Sequence, residues 1–320
     1  MFNMLDSFEK TPRMMREVYC DTLMELAEEN QNIVVLDADL VSSSGMKPFF
    51  KAFSDRAIQC GVAEANMIGI AAGLSSMGKI PFAHSFGCFA SRRVCDQIMI
   101  SASYAKQNVR IVGSDPGVTA AYNGGTHMPF EDMGVLRSIP EIHLIEPTDT
   151  AMLSDLVQQM ANLHGVYYIR MARKNVIGIY EEGSTFEIGR GNLLKDGRDV
   201  SIIASGIMVA EALKAADALR TEGISARVVD MFTWKPIDAK LVADCAVSTG
   251  AIVTAENHNV IGGLGSAVSE AVVQSTPVPL EMVGIKDRFG QVGTEDFLRK
   301  EYNLTAQAIV EAAKLAISRK

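Results

Sequence analysis

A chain of 320 residues is too long for one ordinary core and fits two domains of about 100–200 residues each. Its 48% apolar and 21% charged residues give the balance of a soluble globular protein and exclude a disordered one. A net charge of −8 argues against nucleic acid, because neutralising phosphates takes clustered Lys and Arg.

Thr11-Pro12 reads as an N-cap followed by proline at the first helical position, opening a helix to about Asn30. IVVLD (33–37) is a short β-branched run suited to a buried strand. Residues 64–76 predict a helix, IPFAHS (80–85) a strand, and 89–105 a further helix. VRIVGS (109–114) is a strand that empties into a long Gly-rich loop over 114–130. A strand from His143, a helix over 148–162 and the strand VYYIRM (166–171) complete this series, and YEEGSTFEIGRG (180–191) reads as a connector. A second series follows: VSIIAS, helix 207–222, ARVVDM, helix 238–248, AIVTAE, helix 263–274, LEMVGI and a closing helix from about Thr305. Near-continuous apolar strands alternating with helices predict two three-layer α/β domains, 1–185 and 186–320. Each has a mainly parallel sheet flanked by helices. Ligands of such sheets bind beyond the carboxyl ends of strands, so the positions after Asp37, His84, Gly113 and Met171 are the places to look.

Neither a signal peptide nor a membrane helix is expected. The opening MFNMLDSFEK lacks an apolar stretch, and no run reaches the ~18 apolar residues needed to span a bilayer. Five scattered cysteines, an odd number, read as reduced thiols of a cytoplasmic protein.

Glu64 is the only charge in GVAEANMIGIAAGL (61–74), a helix apolar nearly all round. A buried carboxylate is costly unless paired, hydrogen-bonded or protonated. Glu64 could be catalytic, or could serve only the dipole at the first helical turn. Phe86 and Phe89 could form a flat wall for a heteroaromatic ring or simply be core. Arg92 and Arg93 could meet phosphate or cap a solvated face. His127 closes the long loop, where a lone His is often structural. Arg170 and Arg173, at a strand end, suit phosphate or carboxylate, with an ion pair as the plain alternative. There is no Walker loop, IGGLGSA (261–267) does not follow the dinucleotide spacing, and His84 with Cys88 is the nearest approach to a metal-ligand spacing.

In chain order, ADLVSSSG (38–45), GVAEANMIGIAAG, PFAHSFGCF, GGTHMPFED, LRSIPEIHLIEPTD, RMARKN and VVDMFTWKPID resemble the pyrimidine-binding and C-terminal domains of the transketolase family. The resemblance covers the chain from about residue 12 and is to stand-alone C-terminal subunits of split enzymes. It implies ketol transfer between sugar phosphates with thiamine diphosphate, and it assigns residues. Glu64 matches the glutamate that hydrogen-bonds the aminopyrimidine, and Phe86 and Phe89 the aromatic positions around that ring. Asp39 matches an aspartate near the cofactor, His127 the histidine near the sugar carbonyl, and Arg16, Ser43 and Arg173 the substrate-phosphate positions. Two positions depart: Ser114 stands where the family has His, with one extra residue in the loop, and Asn123 where it has Asp. Hydroxyl recognition is therefore expected to be altered, pointing to a non-standard ketose phosphate. The G-D-G motif that holds Mg²⁺ and diphosphate in the family does not occur. An N-terminal partner subunit is expected to supply that site in an α2β2 assembly with β–β contact. The C-terminal domain is expected to serve assembly. A deoxyxylulose-phosphate synthase-like protein, the small subunit of a 2-oxo-acid dehydrogenase decarboxylase and a non-catalytic scaffold are the alternatives.

Overall fold

A computed structural model describes residues 1–320. The first sheet is built from β1 (Ile33–Asp37), β2 (Ala57–Gln59), β3 (Ile80–Phe86), β4 (Val109–Ser114), β5 (Ile142–Ile145) and β6 (Val166–Met171). The later strands are β7 (Asn192–Lys195), β8 (Val200–Ala204), β9 (Ala226–Asp230), β10 (Thr233–Lys235), β11 (Ile252–Asn259) and β12 (Leu280–Ile285). The helices are α1 (Met15–Glu29), α2 (Val41–Ser44), α3 (Lys47–Ala52), α4 (Glu64–Ser76), α5 (Asp132–Arg137), α6 (Thr150–Asn162), α7 (Met208–Thr221), α8 (Ala239–Thr249), α9 (Leu264–Gln274), α10 (Glu295–Glu301) and α11 (Ala306–Ser318).

The central strands are buried along their whole length, as continuous apolar runs require. Their two faces feed different layers. Ile33 and Val35 pack with Met15 and Leu23 of α1 and Leu153 of α6, whereas Val34 and Leu36 pack with Met67 and Ile68 of α4. In the second sheet Ile202 and Val253 face α7 and α11, while Ile203 and Ile252 face α8 and α9. Both sheets are therefore three-layered. The second has the order β12-β11-β8-β9-β7, parallel except for β7 on β9.

The first sheet has the order β10-β5-β6-β4-β3-β1-β2. Its six native strands run parallel, but β10 comes from the second half of the chain and pairs antiparallel with β5, Thr233 opposite Ile145. Nothing in the sequence pattern announces this crossing.

Three expectations shift. The first helix opens at Met15, because Thr11 donates its backbone N–H to Val176 and lies in an extended arm. The helix expected over 89–105 begins late, at a 3-10 turn over Arg92–Val94 that leads to a π-helix over Gln97–Tyr104. Phe89 and Ala90 both donate to the Phe86 carbonyl, and Ser91 Oγ donates to that of Gly87, so a tight turn uses these groups first. The connector 180–191 is packed: Tyr180 and Phe186 are buried, their rings 4.8 Å apart, with Phe2 5.4 Å from Tyr180.

Candidate active site

The site forms beyond the carboxyl ends of β1, β3, β4 and β6. Gly61, at φ +69°, turns the chain into α4 and sets Glu64 as that helix's first residue. Glu64 is 2% exposed and fully engaged. Oε1 accepts from Ser85 Oγ at 3.1 Å, and Oε2 accepts from Arg93 Nη1 at 2.8 Å. The burial expected from its isolation on an apolar helix therefore goes with a counterion, as the cost of burying a charge demands.

β3 leads from Ser85 to Phe86, and the turn after it presents Phe89 with ring centres 6.3 Å apart. The His127 ring meets both edge-on, 5.7 Å from Phe86 and 5.2 Å from Phe89. A Cβ on Gly87 would lie 2.8 Å from Pro129, so a glycine there lets β3 leave directly beneath the loop carrying His127. Arg93 lays its guanidinium 4.1 Å from the Phe89 ring centre. A flat cation thus donates to Glu64 and stacks on Phe89 at once.

The three residues assigned to an anion also converge. The Ser43 carbonyl accepts from Arg16 Nη1 at 3.2 Å and from Arg173 Nη1 at 3.4 Å. Arg173 lies 4.9 Å over the Phe86 ring and so joins the cradle to the aromatic trough. Beneath it, His84 is fully buried, and burial followed by the nearby Arg173 charge pushes its pKa down to about 3. Asp39 stands apart at the exposed end of β1, at φ +65°, its N–H donating to Gln59 Oε1 at 2.7 Å.

The two departures from the family pattern part company. Ser114 is fully buried, its Oγ donating at 3.4 Å to the Ser85 carbonyl under the site. Asn123 is exposed and donates to Asp115 Oδ2 at 3.4 Å. Asp115 itself is a site residue that sequence reasoning misses. It is 1% exposed and takes Arg173 in two contacts, Nε–Oδ1 at 2.7 Å and Nη2–Oδ2 at 2.5 Å. The available signal was its place, directly after Ser114 in the lengthened loop.

That loop is held by the second half of the chain. Asn257 Oδ1 accepts from Val118 N at 3.0 Å and Asn257 Nδ2 donates to the Pro116 carbonyl at 2.8 Å. Gly117, at φ +50°, admits this contact: a Cβ there would sit 2.2 Å from Asn257 Oδ1. Ala121 holds φ 47° and ψ −113°, a strained backbone between Asp115 on one side and Asn123 and His127 on the other. Arg170, by contrast, is no anion site. It is fully buried between Asp132 (3.0 Å) and Glu146 (2.5 Å) and donates to the carbonyls of Pro129 and Asn257. Arg92 pairs with Glu131 at 2.9 Å. Glu256 accepts from Leu264 N and Gly265 N, capping α9, and His258 accepts from Gly134 N, so both are engaged in packing.

Two family models match most of the chain. The transketolase pyrimidine-binding domain matches residues 11–177, and the transketolase C-terminal domain matches residues 189–309. The chain belongs to the transketolase family. It is similar to split-gene transketolases nearly end to end. A 6-deoxy-6-sulfo-D-fructose transketolase subunit from Clostridium sp. (strain MSTE9) is 51% identical over 306 residues, 96% of this chain and 95% of that one. One of the subunits of an apulose-4-phosphate transketolase, from Phocaeicola vulgatus, is 35% identical over 299 residues, 93% of this chain and 96% of its own. Among solved structures, a split-gene transketolase in an inactive β4 tetramer superposes with a TM-score of 0.89 at 44% identity, covering 96% of this chain and 99% of that chain. The transketolase-like fold is thus the one expected. No group of three or more His, Cys, Asp or Glu side chains is placed to hold a metal ion, and no helix is long and apolar enough to cross a membrane.

The residues present fit the pyrimidine half of thiamine diphosphate. A buried carboxylate and a flat aromatic surface lie within the span of one guanidinium, which already makes both contacts that an aminopyrimidine would need.

Proposed function

We propose that this chain is the β, or C-terminal, subunit of a split transketolase-like transferase that moves a two-carbon ketol unit between sugars bearing an anionic terminal group. Residues 1–185 act as the pyrimidine-binding domain and residues 186–320 as the C-terminal domain. The observation that carries the reading is Arg173 on Phe86, which makes the anion cradle and the cofactor trough one continuous site.

The roles follow from position. Glu64 holds a proton against the pyrimidine nitrogen, and its burial keeps water from competing for that hydrogen bond. Phe86 and Phe89 pack around the ring, with Asp39 at the rim. Thiamine diphosphate, when held there, would supply the carbanion chemistry that ketol transfer needs. His127, edge-on to both phenylalanines, faces the sugar's carbonyl end, where its imidazole can give or take a hydrogen bond. Arg16, Ser43 and Arg173 take the substrate's anionic tail. Asn123, at the rim, and the buried Ser114 alter the shape of the hydroxyl-reading wall, which supports a ketose other than the common ones, as do the substrates named for the two relatives.

The Mg²⁺ and diphosphate site belongs to an N-terminal partner subunit, because this chain offers neither the G-D-G motif nor a ligand cluster. The working enzyme is an α2β2 cytoplasmic assembly with the cofactor spanning the α–β interface and with β–β contact.

Mixing the purified chain with the product of a neighbouring reading frame that carries G-D-G, plus thiamine diphosphate and Mg²⁺, should give ketol transfer that neither chain shows alone. Turnover by the single chain would overturn the split arrangement. Wild-type turnover in a Glu64→Gln complex would favour a scaffold.

A further inference from the structure

Asp115 has no place in the roles above, yet it is the most strongly engaged side chain in the anion cradle. It sits at φ +59° immediately after β4, with its N–H donating to the Met171 carbonyl at 3.1 Å. Its carboxylate is 2% exposed and closes on the Nε–Nη2 edge of Arg173 at 2.7 and 2.5 Å. Asn123 adds an amide donor to Oδ2 at 3.4 Å.

Two consequences follow. First, the fork of Arg173 that would clasp two oxygens of a phosphate is already clasped by a carboxylate, leaving only end-on donors for a ligand. Second, Arg16, Arg173 and Asp115 together carry one net positive charge, where the two arginines alone would carry two. Of the other charges bordering the cleft beside Asp115, Lys10, Lys174 and Asp296 are exposed, while Lys214 and Arg299 pair with Glu211 and Glu295, so solvent and these partners screen them far more than they screen a buried carboxylate. A phosphate monoester is close to doubly charged at neutral pH, since its second ionisation lies near ~6. A sulfonate of the same tetrahedral shape keeps a single charge.

We propose that Asp115 is a specificity-determining residue that tunes the cradle to a singly charged head, a sulfonate, over a dianionic phosphate. This rests on the reading of Arg16, Ser43 and Arg173 as the substrate-anion site.

The test uses the assembled complex with its partner subunit at pH 8, and compares kcat/KM for 6-deoxy-6-sulfo-D-fructose with that for D-fructose 6-phosphate. Wild type should prefer the sulfonate, and Asp115→Asn should move the ratio toward phosphate by about tenfold or more, a shift near 1.4 kcal/mol. A residue that merely held Arg173 in place would weaken both substrates alike and leave the ratio fixed. An unmoved ratio in a variant that melts and assembles like wild type overturns the inference, as does a wild type that prefers phosphate. Competitive inhibition of wild type by methanesulfonate and methylphosphonate needs no variant, and tighter binding of the phosphonate would count equally against it. Arg173→Ala separates the two layers of the argument. If it raises KM for both heads while Asp115→Asn leaves the ratio alone, only the role of Asp115 fails. If it changes neither KM, the cradle itself is wrong and Asp115 falls with it.

Discussion

Arg93 donates to Glu64 at 2.8 Å while its guanidinium lies 4.1 Å from the ring centre of Phe89. Glu64 is buried and Arg93 is half exposed, so the pair is anchored on the helix side and free to move on the other. Any ring that stacks on Phe89 and bonds Glu64 must displace that guanidinium. Arg93→Ala in the assembled complex should therefore tighten thiamine diphosphate several-fold in a fluorescence titration, while lowering the melting point of the free chain because the buried carboxylate loses its counterion.

Glu64→Gln keeps the shape and the Ser85 hydrogen bond but removes the acid. Loss of one positioned proton-transfer group costs on the order of 10²–10⁴ in rate. Single-turnover measurements should show that loss in the chemical step, with cofactor and partner affinity changed much less.

Much of this site was legible in the sequence, and for a physical reason. A lone carboxylate on an otherwise apolar helix, and aromatic residues just past a strand, are local signals that survive without knowing the fold. Asp115 and Asn257 were not legible as partners of Arg173 and of the loop, because their meaning lies in contacts 58 residues away and 139 residues away. The same applies to β10: a three-residue run carries no periodicity, and only its pairing with β5 makes it a strand. The short edge strands β2 and β7 likewise went unread, whereas the apolar runs of β1, β3, β4, β5, β6, β8, β9, β11 and β12 announced both three-layer units at once.

Gly117→Ala should act on the loop and not on the core. A Cβ would stand 2.2 Å from Asn257 Oδ1, and φ +50° is unfavourable to alanine. The loop bearing Asn123 and His127 must shift. A fall of about tenfold in kcat/KM is expected, on the scale of a misplaced catalytic group. A calorimetric scan should show only a small drop in melting temperature.

Arg170→Met leaves Asp132 and Glu146 buried together without their shared cation. Uncompensated buried charge costs about 3–5 kcal/mol. Urea unfolding followed by far-UV circular dichroism should show that loss.

Asp230 offers a pH test. Burial raises its carboxyl from 3.8 to about 7, against the lowering effect of hydrogen bonds from Thr148 Oγ1 and Tyr180 Oη, both 2.7 Å. The folded chain keeps a proton that the unfolded chain releases, so stability is full below about pH 4 and is lost as pH rises through about 7. Asp230→Asn removes the ionisation. Its melting point relative to wild type should climb between about pH 5 and pH 8. A difference that stays flat over that interval would contradict the raised carboxyl.

The antiparallel strand Thr233–Lys235 has a consequence for how such proteins can be rebuilt. Trimming the chain after the first α/β unit would strip β5 of its outer neighbour and bare a row of unpaired amides and carbonyls, an invitation to misassociation. Chimeras that swap one unit for a homologue's must therefore carry the lent strand with the recipient sheet, which makes the two halves inherited goods rather than interchangeable modules.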